Sequence, residues 1–187
     1  RPLPGHLSEL LAARVVSDML PAAEDAWTER WREARGMAEE TPLMAIAQFE
    51  GILDEIELPA PETHPMHFPN MDARLAVGLI QTEPGMCYGR YPSSYVPTLS
   101  QLAECYVAVG RHEEALAAMR QCIRCAPSCA YYYASLGDIH FWLEEYEAAF
   151  DAYNQGLYFA CNVQDVGYLY YSMGSLMERT GRLDVAI

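Results

Sequence analysis

Two stretches, YVPTLSQLAECYVAVGRHEEALAAMRQCIRCAP at residues 95–127 and YYYASLGDIHFWLEEYEAAFDAYNQGLYFAC at residues 131–161, carry one pattern of large and small apolar positions. Leu99, Leu102, Ala103 and Tyr106 recur 34 residues later as Tyr133, Leu136, Gly137 and His140. Ala115, Met119 and Cys122 recur at the same interval as Ala149, Tyr153 and Gly156. A third copy follows after 37 residues, with Tyr170, Met173, Gly174 and Met177, then Ala186. Positions i, i+3, i+4 and i+7 form one helical face, so each copy reads as two helices. Ala103, Gly137 and Gly174, with Ala115, Ala149 and Ala186, are small enough for the paired helices to approach closely. Gly110-Arg111 and Gly181-Arg182 mark the turns, where the middle copy has Glu144-Glu145, and Pro127 closes the first hairpin. One hairpin cannot bury its own apolar face, so successive copies are expected to stack.

The period, the small-residue slots and the closing proline resemble the tetratricopeptide repeat family over residues 95–187. The resemblance implies an all-α fold of antiparallel helical hairpins, stacked as a short right-handed solenoid whose third repeat is incomplete. Helices are expected over 97–109, 113–124, 131–142, 146–159, 165–179 and from 183 onward. Cys161 stands where a proline is usual, and three residues are inserted near 162–166. Ile187 falls within the second helix of the third hairpin, so the intact protein is expected to continue.

Residues 1–94 have a different texture, since eleven of the 12 prolines lie at or before Pro97. Leu7, Leu10, Leu11, Val15 and Met19 suggest one helix. Pro21 suits the first turn of a second, running to about Glu39 with Trp27 and Trp31 on one face. Thr41-Pro42 reads as the cap and first turn of a third helix containing Met44, Ala47, Ile52 and Ile56. Pro59, Pro61, Pro65 and Pro69 then forbid a continuous helix over 58–71. Residues 73–81 lean towards a short helix, and 83–97 are rich in turn residues. This half is expected to be an irregular helical region, its Trp27/Trp31 and Ala45/Phe49 helices resembling a degenerate extra hairpin.

Composition excludes several classes of function. Apolar residues make up 51% of the 187, enough for a core and inconsistent with a disordered chain. No stretch approaches the ~20 apolar residues that span a bilayer, and no signal-peptide pattern opens the sequence. The net charge of −14 repels phosphate backbones, so neither nucleic acid nor membrane is an expected partner. All 12 basic residues are Arg, which removes chemistry that needs lysine, such as a Walker A loop or a Schiff base.

The six cysteines are Cys87, Cys105, Cys122, Cys125, Cys129 and Cys161, expected as reduced thiols of a cytoplasmic protein. Cys122, Cys125 and Cys129 have a metal-like spacing, but a paired second motif is missing and Cys122 fills a slot the next copy gives to Gly156. His112-Glu113-Glu114-Ala115-Leu116 begins like a zinc-protease motif, with Leu116 where the second histidine is required. His64 and His67 lack a partner set. No metal, cofactor or catalytic residue is assigned, and enzyme activity is not expected.

By the resemblance, the first helix of each hairpin lines a concave face. It carries Ser100, Glu104, Val107 and Ala108 from the first copy, and Tyr131, Ala134, Asp138, Phe141 and Trp142 from the second. The third supplies Tyr168, Tyr171, Ser175, Glu178 and Arg179. One branch of the family grips C-terminal carboxylates at slots occupied here by Ser100, Glu104, Ala134 and Asp138, and two acids there repel a carboxylate. Glu104, Tyr131, Asp138, Phe141, Trp142, Tyr168, Tyr171 and Glu178 are therefore the candidate partner-binding residues. The expected function is protein–protein interaction, as a scaffold, adaptor or ligand-sensing part of a regulator. The partner is a protein or peptide with apolar and basic residues. The alternatives are a helical accessory domain of a larger enzyme or regulator, and a cysteine-based metal- or redox-responsive protein.

Overall fold

The computed structural model describes residues 25–59 and 91–181. Among these there are seven helices and no strand: α1 (Thr28–Met37), α2 (Pro42–Glu55), α3 (Tyr95–Ala108), α4 (His112–Cys125), α5 (Ala130–Trp142), α6 (Tyr146–Phe159) and α7 (Val163–Thr180). The expected helices over 7–20, 73–81 and from 183 onward lie outside the described residues, as do His64, His67 and Cys87.

Each helix packs on the next along the chain, and α5 also meets α7, as in a helical solenoid. The small-residue slots are where helices meet. Ala103, Ala115 and Ala149 are fully buried. The Tyr153 ring lies so close over Gly137 that an added Cβ there would stand 2.4 Å from it. At Gly156 the same atom would meet Leu169 of α7 at 2.9 Å. Helix α5 is apolar on every side and is buried on two of them. Tyr132 and Ile139 join the core of the first hairpin, whereas Ala130 and Ala134 join a second core with Ala149, Tyr153, Leu169, Met173 and Leu176.

The turns repeat as faithfully as the helices. Arg111 N–H donates to Tyr106 O at 2.8 Å and Gly110 N–H to Val107 O at 3.0 Å. At the next hairpin, Glu145 donates to His140 O at 2.9 Å and Glu144 to Phe141 O at 3.1 Å. This double closure needs a left-handed residue after the helix. Gly110 (φ 77°) and Gly181 (φ 72°) supply it freely, while Glu144 (φ 60°) bears a strain of about 1 kcal/mol.

Several boundaries differ from the sequence expectation, each for a local reason. Helix α3 begins at Tyr95 rather than Pro97, because the first-turn N–H groups have no intrahelical acceptor and a proline there loses nothing. Helix α7 begins at Val163 rather than Asp165. Asn162 caps it, accepting from Asp165 N at 2.8 Å and donating to the Asp165 carboxylate at 2.7 Å. Helix α4 stops before Pro127, whereas α6 turns to extended backbone at Ala160 without a proline. Thr41 does precede α2, but its hydroxyl donates back to Met37 O at 3.2 Å instead of capping the helix.

Helix α1 starts at Thr28, with Asp25 organising a turn just before it, and Pro21 lies outside the described residues. Asp25 Oδ1 accepts from the Thr28 hydroxyl at 2.9 Å. Its Oδ2 accepts from Ser93 Oγ at 3.1 Å, Ser94 N at 2.9 Å and Ser94 Oγ at 2.7 Å. One carboxylate thereby ties α1 to the start of α3. Burial pushes its pKa up, but the bonds from Ser94, Thr28 and Ser93 outweigh this and hold it below 3.8. A depressed carboxyl pKa gives stability that is present above the unfolded value and lost as pH falls through the folded one. Asp25→Ala is expected to cost about 1 kcal/mol at pH 7. The gap between variant and parent should close as urea titrations are taken below about pH 3.8.

Helices α1 and α2 pack against each other, and Ile46, Phe49 and Ile52 of α2 share one core with Val96, Leu99 and Leu102 of α3. Tyr106 of α3 donates to Glu50 of α2 at 2.6 Å, and the Arg111 guanidinium lies 4.4 Å over the Tyr106 ring.

Candidate functional site

Helices α3, α5 and α7 bound a cleft of about 370 Å³. Its charged lining residues are all acids, Glu104 from α3, Asp138 from α5 and Asp165 from α7. Tyr131 and Trp142 from the two ends of α5 and Tyr168 from α7 supply aromatic walls, and Met119, Ile139 and Leu169 lie on its apolar lining. Trp142 is 73% exposed and Tyr168 49%, so these rings are not core.

Both central carboxylates are held by tyrosine hydroxyls from neighbouring helices. Tyr131 donates to Glu104 Oε1 at 2.9 Å, and Gln101 donates to the other oxygen at 2.5 Å. Asp138 accepts from Tyr153 at 2.9 Å on one oxygen and from Tyr168 at 2.6 Å on the other. Burial raises the Asp138 pKa, and the two hydroxyls only partly offset it. Burial, then the bond to Asp138, pushes Tyr168 up to about 12, so it stays a neutral donor. The hydroxyls fix the carboxylates in place without neutralising them.

Of the eight candidate residues, Glu104, Tyr131, Asp138, Trp142 and Tyr168 meet on this lining, and Phe141, Tyr171 and Glu178 do not. Phe141 packs on the second core, edge-on to Tyr146 at 6.1 Å. Tyr171 and Glu178 are exposed on α7 away from the cleft lining. Ser100, mapped to the concave face, is buried. Sequence reasoning missed Met119, which reaches the cleft from α4, and Asp165, whose side chain also serves the α7 cap. The Asn162-to-Asp165 spacing is a readable cap signal, but nothing in it announces a cleft.

Elsewhere, Cys105, Cys122, Cys125 and Cys129 are buried free thiols and Cys161 is an exposed one. Burial raises the Cys122 pKa strongly and pushes Cys129 up to about 11, which keeps both thiols protonated at neutral pH. Among the described residues no three His, Cys, Asp or Glu side chains are grouped to hold a metal ion. No helix among them is long and apolar enough to cross a membrane.

Stacked antiparallel hairpins make the described part of the chain an all-α helical-repeat fold. Residues 96–129 match the family model of the tetratricopeptide repeat. No curated protein matches the chain. Among solved structures, one of MamA is 20% identical, covering 64% of this chain and 70% of its own with a TM-score of 0.43. A second, of MamA from AMB-1, is 14% identical, covering 84% and 91% at 0.42.

Proposed function

We propose that the chain is a non-enzymatic scaffold or adaptor that holds a segment of a partner protein in the α3–α5–α7 cleft, with Trp142 as the anchor. The single observation that carries this is Trp142 itself, a large aromatic left 73% exposed on a lining whose charged groups are all acidic. Exposed aromatics beside acids suit a segment bearing apolar residues and at least one positive charge. The volume, about 370 Å³, favours a few side chains of an extended segment over a docked helix of about 10 Å diameter. Stacking of α1–α2 on α3 extends the reading, in which the first two helices act as a degenerate hairpin that closes the array.

The test is a titration of the intact protein with short capped peptides carrying arginine and leucine, followed by calorimetry. Trp142→Ala is expected to weaken binding about tenfold, or 1.4 kcal/mol, at an unchanged melting temperature. A folded variant that binds as well as the parent overturns the cleft reading. Raising the salt should weaken the complex, chiefly through a slower association rate.

A further inference from the structure

Two hydrogen bonds in the cleft are copies of each other. Glu104 and Asp138 are 34 residues apart and occupy one repeat position, and Tyr131 and Tyr168 likewise match across the 37-residue interval. Tyr131 of α5 reaches back to Glu104 of α3, and Tyr168 of α7 reaches back to Asp138 of α5. The α3–α5 and α5–α7 junctions are thus closed by the same tyrosine–carboxylate rung. A hydroxyl satisfies a carboxylate oxygen but leaves its charge, so the cleft wall presents one anion per repeat beside exposed aromatic rings.

The rungs join α3 to α5 and α5 to α7, so the spacing of these first helices sets them apart; α5 and α7 pack on each other, and packed helices lie about 8–10 Å from axis to axis. An extended chain of polyproline II type rises about 3.1 Å per residue and repeats its face every third residue, so its residues i and i+3 present one side about 9 Å apart. An α-helix offers only about 4.5 Å of rise over the same three residues. We infer that the occupant of the cleft is an extended segment carrying two basic side chains three residues apart, one over each rung, with Trp142 packing against an apolar residue beside them. A second copy of this chain is disfavoured, because each copy carries a net charge of −14.

This inference rests on the cleft being a binding site, and the experiment separates the two. Intact protein is titrated with capped, proline-framed peptides holding two arginines with one, two or three residues between them, alongside a peptide with a single arginine. The two-residue gap is expected to bind at least about tenfold tighter than either other gap. Glu104→Gln and Asp138→Asn, whose amide oxygens still accept the tyrosine hydroxyl, should each reduce the preferred peptide to the affinity of the single-arginine one. Equal affinity at all three gaps, with binding still dependent on Trp142, overturns the rung spacing and leaves the cleft reading standing. Failure of every peptide to bind overturns both. The spacing comparison uses the parent protein alone, so it holds even if a variant is unstable.

Discussion

Replacing Tyr153 by alanine is expected to lower stability by about 3–5 kcal/mol. Tyr153 is 1% exposed and occupies the second core, between Gly137 beneath it and the residues of α7. Truncation removes the ring's burial and leaves a cavity that the α5 backbone, lying directly against it, cannot fill without moving. It also takes one of two hydroxyl donors from Asp138, a half-buried carboxylate with no cation among its hydrogen-bond partners. Tyr153→Phe isolates that part and should cost about 1 kcal/mol. Because repeat arrays lose structure unit by unit, the effect should be local. Hydrogen exchange in Tyr153→Ala is expected to speed up in α6 and α7, while α2 and α3, which belong to the other core, keep their protection. Uniform acceleration over all helices would mean that the two cores form one cooperative unit.

Gly137→Ala should destabilise by about 2 kcal/mol, although alanine is the better helix former. Helix propensity favours the change by about 1 kcal/mol. Against it, the new methyl would sit 2.4 Å from Tyr153 Cε1 and 2.5 Å from Cδ1, in the flank of a ring and not at the tip of a flexible chain. That ring is wedged in the core and pinned through its hydroxyl to Asp138, so overpacking of about 3 kcal/mol is the larger effect. Gly174 is the control. It occupies the same repeat position, but among the described residues nothing lies within 4 Å of where its Cβ would stand. Gly174→Ala should therefore leave the urea midpoint unchanged or raise it. An increased midpoint for Gly137→Ala would show that α5 and α6 can separate at no cost.

Much of this architecture is local, and local features are legible in one sequence. The spacing of Leu99, Leu102, Ala103 and Tyr106 sets a helical face whatever it packs against. Gly110 and Gly181 declare left-handed turns, and the equivalence of Glu144 to them is readable from register alone. The acidic and aromatic character of the first helices was also visible, because residue type does not depend on packing.

What a side chain touches across helices is a matter of tertiary geometry. Phe141 and Trp142 are neighbours of similar chemistry, yet a rotation of one residue along α5 sends Phe141 to the second core and leaves Trp142 facing solvent. No periodicity distinguishes them, since α5 is apolar all round. Tyr153 and Tyr168 both donate to Asp138, one from inside the core and one from the cleft wall, and only the crossing of α6 and α7 over α5 brings them together. The bond from Asp25 to Ser94 spans 69 positions in sequence, and either residue alone reads as an ordinary helix-start signal. Sequence by itself determined the repeat, its turns and the chemical palette of the first helices. The docking of one helix on another decided which of those residues are walls of a cleft and which are core, because burial is a property of the neighbours a residue is given.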